Sequence, residues 1–331
     1  MRIAIFCHSI LSDWNHGSAH FLRGLAVELG ARGHEVLCFE PRDAWSLMNL
    51  VADQGGDPLR RMRDVYPELR VRRYRLDAID LRTALDGYDL VVVHEWSPPE
   101  LIARLSEVRA ARRFVLLFHD TSHRAVSDPT SLAALDLARF DGVIAFGASL
   151  RDAYVKHRLA RRVFVMHEAA DTRVFRPVAG ERDLDLVWIG NFGEGERAAE
   201  LGEYLIDPAR ALDLRGIVYG IRYPPEARRT LAATRLRYGG YLSNFDVPAA
   251  LARARATVHV PRGYYSSSSR VSGAALPGIP TIRMFEALAC GVPLLCAPWD
   301  DTEGLFAPGA DFLVARSGDE MTRHLAALLD D

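Results

Sequence analysis

Gly278-Ile-Pro-Thr-Ile-Arg-Met-Phe-Glu-Ala-Leu-Ala-Cys-Gly-Val-Pro-Leu-Leu295 is the stretch whose reading decides the fold. It predicts a tight turn, a helix over 281–290, a stop at Gly291 and then a buried strand. Thr281 stands where a capping hydroxyl is expected, and Gly291 where a helix ends in the left-handed region. Ile282, Phe285, Leu288 and Ala289 recur at helical spacing and predict one apolar stripe, which leaves Arg283 and Glu286 pointing elsewhere. A helix N-terminus beside a cation suits a phosphate, and a carboxylate one turn further suits a pair of sugar hydroxyls. The stretch therefore predicts one wall of a nucleotide pocket, built from Gly278, Ile279, Thr281, Ile282, Arg283 and Glu286.

Working outward, the first half of the chain alternates short apolar runs with helical patterns. Residues 3–7, 35–39, 90–93, 114–118, 143–146 and 163–166 are continuously apolar, as strands buried on both faces of a parallel sheet should be. Between the first two, Phe21, Leu22, Leu25, Ala26 and Leu29 form one helical face, closed by Gly33. A polar break follows at 171–183. A second series then begins, with runs at 186–189, 216–219, 257–260, 292–296 and 312–314 and helical patterns at 196–205, 247–254 and 321–329. The expectation is an α/β protein of two Rossmann-like domains facing across a cleft. Residues 1–172 form the first domain and 173–331 the second, with a linker at about 172–184.

Composition sets the outer bounds. The 331 residues are 49% hydrophobic and 25% charged, with a net charge of −2. That length suffices for two ordinary domains, and the near-neutral balance gives no electrostatic case for a nucleic-acid partner. Cys7, Cys38, Cys290 and Cys296 lack zinc-site spacing, so they read as buried reduced thiols. No apolar run is long enough to span a bilayer, and the N-terminal run is too short for a signal peptide. A cytoplasmic protein is expected.

Four groups of residues could carry chemistry. Gly190-Asn-Phe-Gly-Glu-Gly-Glu-Arg197 follows a strand and opens a helix. It reads either as a flexible turn or as a phosphate loop using Gly190, Asn191 and Gly193. A diphosphate would explain both the glycines and Arg197, a cation near the positive end of a helix. Asn15-His-Gly-Ser-Ala-His20 forms the corresponding loop of the first domain; His16 and Gly17 could meet an acceptor, and a helix-capping histidine is an equal account. His119 and Asp120 close one buried strand, and His94 and Glu95 close its neighbour, the end where open α/β sheets place functional side chains. Asp183 and Asp185 precede their strand and read as solvated linker charge. Ser266–Ser269 reads as a mobile loop or a lid. No metal site, P-loop lysine or serine nucleophile elbow is found.

Taken together, these segments resemble the GT-B glycosyltransferases, most closely family 4 and the CgeB-like spore-maturation branch. The likeness runs through residues 21–36, through Phe140-Asp-Gly-Val-Ile-Ala-Phe146, Glu168-Ala-Ala-Asp171 and Phe175-Arg-Pro177, and most specifically through 281–291, 304–309 and 312–314. The resemblance implies transfer of a sugar from a nucleotide-sugar donor to a small-molecule, glycan or protein acceptor, without cofactor or metal and with retention. It implies that Glu286 binds the donor ribose, that Arg197 meets the diphosphate, that His119 lies near the transferred sugar and that Tyr241 lies near the base. Family 4 enzymes often carry a second carboxylate eight positions before the ribose-binding one, and here that position is Gly278.

Arg197, Arg283 and His119 are accordingly the expected catalytic groups, with His16, His94 and Glu95 on the acceptor side. Three rivals share the same residues. One is a sugar-nucleotide epimerase or hydrolase on the same plan. Another is a dinucleotide oxidoreductase, which needs an acidic ribose anchor after 216–219 and meets Gly220 instead. The third is a nucleotide-sugar binder without turnover, which the missing carboxylate at 278 favours.

Overall fold

The computed structural model describes residues 1–193, 197–265 and 276–330. The chain divides into two compact units, Met1–Glu168 and Ala169–Asp331.

The first unit is a seven-stranded sheet in the order β3-β2-β1-β4-β5-β6-β7, every pairing parallel. Its strands are β1 (Arg2–Phe6), β2 (Glu35–Pro41), β3 (Val71–Tyr74), β4 (Leu90–His94), β5 (Val115–Asp120), β6 (Gly142–Ala145) and β7 (Val163–Val165). The helices between them are α1 (Ala19–Ala31), α2 (Trp45–Gln54), α3 (Asp57–Val65), α4 (Leu81–Ala84), α5 (Pro99–Ala111), α6 (Arg124–Ser127), α7 (Pro129–Ala133) and α8 (Ala148–Lys156). Ile3, Ala4, Val91, Val93, Leu116 and Phe118 are buried to 1% exposure or less, because helices cover both faces of these central strands.

The second unit is a six-stranded sheet in the order β10-β9-β8-β11-β12-β13, again wholly parallel. The strands are β8 (Leu184–Ile189), β9 (Gly216–Tyr219), β10 (Leu236–Gly240), β11 (Ala254–His259), β12 (Leu294–Cys296) and β13 (Leu313–Val314). Its helices are α9 (Ala198–Leu201), α10 (Asp207–Ala211), α11 (Pro225–Ala232), α12 (Val247–Ala252), α13 (Ile282–Cys290) and α14 (Gly318–Asp330). Leu186 and Trp188 enter one apolar cluster and Val187 the other, so β8 is lined on both faces. In each sheet the strand order reverses beside the first strand, between β1 and β4 and between β8 and β11. Open α/β sheets bind ligands at such a reversal, beyond the carboxyl ends of the strands.

Several expectations are revised. β3 and β10 were not anticipated. The helical pattern at 196–205 is a short α9 followed by a π-helical turn at Gly202–Ile206 that leads into α10; Gly195 and Glu196 lie outside the described residues. The segment 171–183 contains no helix or strand, yet Phe175 is fully buried in the core of the second unit, so this stretch is anchored there. Asp183 and Asp185 stay partly solvated, their side chains 42% and 18% exposed, but each is also partnered. Asp183 accepts two hydrogen bonds from Arg253, at 2.8 and 2.5 Å, and Asp185 accepts one from the Arg215 backbone N–H at 2.8 Å. All four cysteines are free thiols, three of them buried. No helix among the described residues is long and apolar enough to cross a membrane.

Candidate active site

Helix α13 forms where the opening stretch predicts it, with Thr281 as N-cap and Gly291 closing it at φ +66°. Its packing differs from expectation in two ways. The buried positions are Ile282, Met284, Glu286 and Ala287, whereas Phe285, Leu288 and Ala289 are half-buried. Glu286 therefore lies in the buried face at 1% exposure. A buried carboxylate needs a partner, and Arg283 supplies one from the same helix, its Nη1 donating to Glu286 Oε2 at 2.5 Å. Arg283, expected on phosphate, thus also orients the carboxylate expected on ribose.

Thr281 does not use its hydroxyl as a cap. Its Oγ1 lies 2.8 Å from Nε2 of His259, and Nδ1 of His259 lies 3.0 Å from the Cys296 sulfur. His259 ends β11 and pairs with Cys296 on β12, which explains why the three line up. Burial first, and then the charges of Arg197 and Arg283, lower the His259 pKa to about 3, so the ring is neutral and offers one donor and one acceptor. Diverted to His259, the Thr281 hydroxyl gives α13 no cap.

The glycine-rich loop after β8 has an internal explanation that the expectation lacked. A Cβ on Gly190 would meet the Trp188 ring at 2.7 Å, and Gly193, at φ +84°, has the Arg197 side chain packed against it. Arg197 spans the sheet reversal. Its Nη1 donates to the Val260 carbonyl at 2.9 Å, its Nη2 donates to the Asn191 carbonyl, and its guanidinium lies 5.3 Å from the Trp188 ring centre. No diphosphate is needed to account for these residues. The Asn191 side chain is likewise engaged, accepting from the Ile221 N–H at 2.9 Å.

Ile279 and Ile282 are core residues at 0% and 7% exposure, so only their backbones could serve a ligand. The Tyr241 hydroxyl accepts from Ser243 at 3.1 Å. Gly278 sits at φ +74°, and the place its Cβ would take is 1.8 Å from the Thr302 hydroxyl oxygen. The carboxylate that family 4 enzymes often carry has no room at this position. The serine-rich segment, read as a loop or lid, lies outside the described residues.

At the sheet reversal of the first unit, four imidazoles gather. His94 ends β4 and stands opposite His119 of β5, with ring centres 5.3 Å apart. His8 follows β1 and His16 precedes α1; their ring centres lie 4.3 Å from each other and 5.3 and 5.9 Å from that of His94. His16, His94 and His119 are 7%, 1% and 2% exposed. Burial lowers the pKa of His8 and His119 to about 4, with Asp120 opposing part of the shift at His119. His16 and His94 are pushed well below the usual value by burial and, less, by neighbouring rings, Arg23 and Arg124. Gly17 is half-buried in the adjoining loop.

Glu95, expected at the acceptor, is turned into its own network. Its Oε1 accepts from the Thr121 hydroxyl at 2.6 Å and the Thr121 N–H at 3.1 Å. Asp120 accepts from the Tyr154 hydroxyl at 2.7 Å and from Ser122. Burial, and next the neighbouring Asp120, push the Glu95 carboxyl well up, which favours its protonated form. The expectation overlooked His8 and His259, although both stand at the carboxyl end of a central strand, the signal that singled out His94 and His119.

Residues 16–174 match the family model for Glycosyltransferase Family 4, and residues 197–331 match the model for Glycosyl transferase-like proteins. Solved structures with the same fold include a sucrose-phosphate synthase from Thermosynechococcus elongatus (15% identity, TM-score 0.64) and HepE of Anabaena in complex with UDP and glucose (13%, 0.67). The T4 phage β-glucosyltransferase in complex with UDP-glucose is a third (15%, 0.60). Each comparison covers 100% of this chain and 90% of the other. No curated protein matches the chain. With a glycosyltransferase model resting on each unit and this fold throughout, the chain is a glycosyltransferase of the GT-B class.

Proposed function

We propose that the chain transfers a sugar from a nucleotide-sugar donor, with UDP-sugars the first candidates, to a hydroxyl of a small-molecule, glycan or protein acceptor. The observation that carries the donor assignment is Glu286, a buried carboxylate held in place by Arg283 one turn inside α13. A carboxylate fixed in this way has the chemistry to accept from vicinal ribose hydroxyls. The diphosphate then meets the first N–H groups of α13, with Arg197 and Arg283 adding positive charge where the leaving group becomes more negative. In this reading no metal takes part. The UDP and UDP-glucose bound by HepE and the T4 enzyme support the choice of base. Retention of anomeric configuration, membership of the CgeB-like branch and a cytoplasmic location complete the reading.

A thermal-shift panel of UDP, GDP, ADP, CMP and dTDP, each with its sugar conjugates, tests it. Selective stabilisation by one base is expected, because a ligand that binds only the folded state raises its stability. No response to any nucleotide contradicts the assignment. Gly278 favours a second reading, a nucleotide-sugar binder without turnover, because the space for a second carboxylate is taken by Thr302. Release of nucleotide only when an acceptor is present separates transfer from binding and from hydrolysis, and NMR of the fresh product reads the anomeric outcome.

A further inference from the structure

Helix α2 departs from the pattern of a surface helix, which turns its polar side to water. Its sequence, Trp45-Ser-Leu-Met-Asn-Leu-Val-Ala-Asp-Gln54, holds one charged residue. Ser46, Leu47 and Leu50 are buried. Trp45, Met48 and Val51 lie on the opposite side and are 53%, 59% and 45% exposed, with Ala52 exposed beside them. At about 100° per residue these four fall within an arc of about 120°. The one charge, Asp53, lies outside that arc and accepts from the Trp14 indole N–H at 3.2 Å. Single exposed apolar residues are ordinary on a protein surface, but three large ones along one helix face mark a place of contact.

Arginines flank this stripe at both ends. Residues 58–75 contain seven, all exposed, against Asp64 and Glu68, in a chain whose net charge is −2. Arg60, Arg61 and Arg63 follow on α3, after the turn at Gly55 and Gly56. The others sit on or beside β3, whose end is tied to the segment leading into α2. The Arg42 N–H donates to the Tyr74 carbonyl at 2.7 Å, and the Arg73 guanidinium donates to the Arg42 carbonyl. Arg60, Arg70 and Arg75 form exposed ion pairs with Asp57, Glu35 and Asp77; such pairs are worth little in water and yield to a stronger anion. Arginines on an edge strand also keep it from pairing with other chains. That accounts for β3, but not for the outward apolar face of α2.

The charge decides what covers the stripe. A second copy of the chain fits poorly, because a two-fold contact sets a patch against itself and would turn these arginines toward their own copies. A lipid surface suits both parts. Tryptophan, methionine and valine can enter the boundary between headgroups and acyl chains while the helix lies in the plane, and guanidinium groups pair bidentately with phosphates. We propose that α2, together with the arginines of α3 and β3, docks the first unit on an anionic phospholipid surface. The helix lies on the membrane without crossing it, and the proposal is independent of the donor assignment.

Co-sedimentation of the full chain with vesicles tests the docking face. The vesicles are phosphatidylcholine alone, or phosphatidylcholine with about a third phosphatidylglycerol. The wild type should partition onto the mixed vesicles and little onto the neutral ones. Met48→Ser combined with Val51→Ser should lower that partitioning by at least about tenfold. Arg63→Gln combined with Arg72→Gln should lower it by about fivefold for each arginine. All four positions are exposed, so the variants should melt with the wild type, and each pair reads the face by itself should the other fail to fold. Tryptophan fluorescence should shift to the blue on the mixed vesicles, and Trp45→Phe should remove most of that shift. A wild type that ignores the vesicles overturns the proposal. So does equal binding to neutral and mixed vesicles, or binding that survives the serine pair, which would reduce the face to a charge patch for any polyanion. Light scattering without lipid covers the remaining occupant: self-association that the serine pair abolishes would give the face to a second copy and overturn the proposal too.

Discussion

The two sheet reversals of this chain are built on opposite electrostatic plans. In the second unit nearly every polar group at the reversal already has a partner. Arg197 holds the Val260 and Asn191 carbonyls, Arg283 holds Glu286, and His259 links Cys296 to Thr281. In the first unit Nδ1 of His8, both ring nitrogens of His94 and Nε2 of His119 are buried without a hydrogen-bond partner among the described residues. A site meant for a charged, high-energy donor gains from groups fixed in advance, because preorganised charges need no rearrangement as the leaving group departs. Buried nitrogens left open in the first unit come instead at a cost in stability.

The contrast is sharpest under acid. Unfolded histidine takes up its proton near pH 6.5, whereas His8 and His119 do so only near 4 in the folded chain, and His16 and His94 lie well below normal too. Between those values the unfolded state binds more protons, so stability falls as pH drops from about 6.5 toward 4. His8 and His119 alone contribute on the order of several kcal/mol over that window. The second unit has one comparable ring among the described residues, His259. Hydrogen exchange followed by unit should therefore show the first unit losing protection at higher pH than the second. Simultaneous loss would break the comparison.

The next largest effect concerns the turn before α13. Gly278→Ala forces a side chain into the left-handed region and against Thr302, and should cost about 1–3 kcal/mol in denaturant unfolding. Adding Thr302→Gly should recover part of the loss, with a coupling between the two sites. Additive losses would mean that the contact with Thr302 is not what excludes a side chain.

A smaller effect is expected at the fully partnered end of the comparison. Arg197→Lys keeps the charge but cannot span the Val260 and Asn191 carbonyls with one planar fork. Loss of about 1–2 kcal/mol is expected, seen as a lower melting temperature of the second unit. An unchanged melting temperature would show that the charge alone, not the fork, matters at this reversal.

Much of this arrangement could be read from sequence, and the failures have physical causes. The central strands were legible because burial on both faces makes them continuously apolar. β3, Val71-Arg-Arg-Tyr74, and β10, Leu236-Arg-Tyr-Gly-Gly240, are edge strands whose exposed positions carry arginine or glycine, so neither shows that run. Helix α13 was legible from its spacing and its glycine stop. That Glu286 lies on the buried face was not, because periodicity ranks a carboxylate as surface and does not see Arg283 turning toward it. The roles of Gly190 and Gly278 depended on Trp188 and Thr302, neighbours that no local pattern identifies.

The account turns on Glu286 as the ribose anchor. Titration calorimetry of the nucleoside diphosphate that most stabilises the wild type, repeated on Glu286→Gln with its fold checked by circular dichroism, addresses it directly. The variant keeps the shape but loses the charge that accepts from two hydroxyls, so affinity should fall by about a hundredfold. The 2′,3′-dideoxy form of the same nucleotide should bind the wild type and the variant equally weakly. A variant that binds the normal nucleotide as tightly as the wild type would contradict the account.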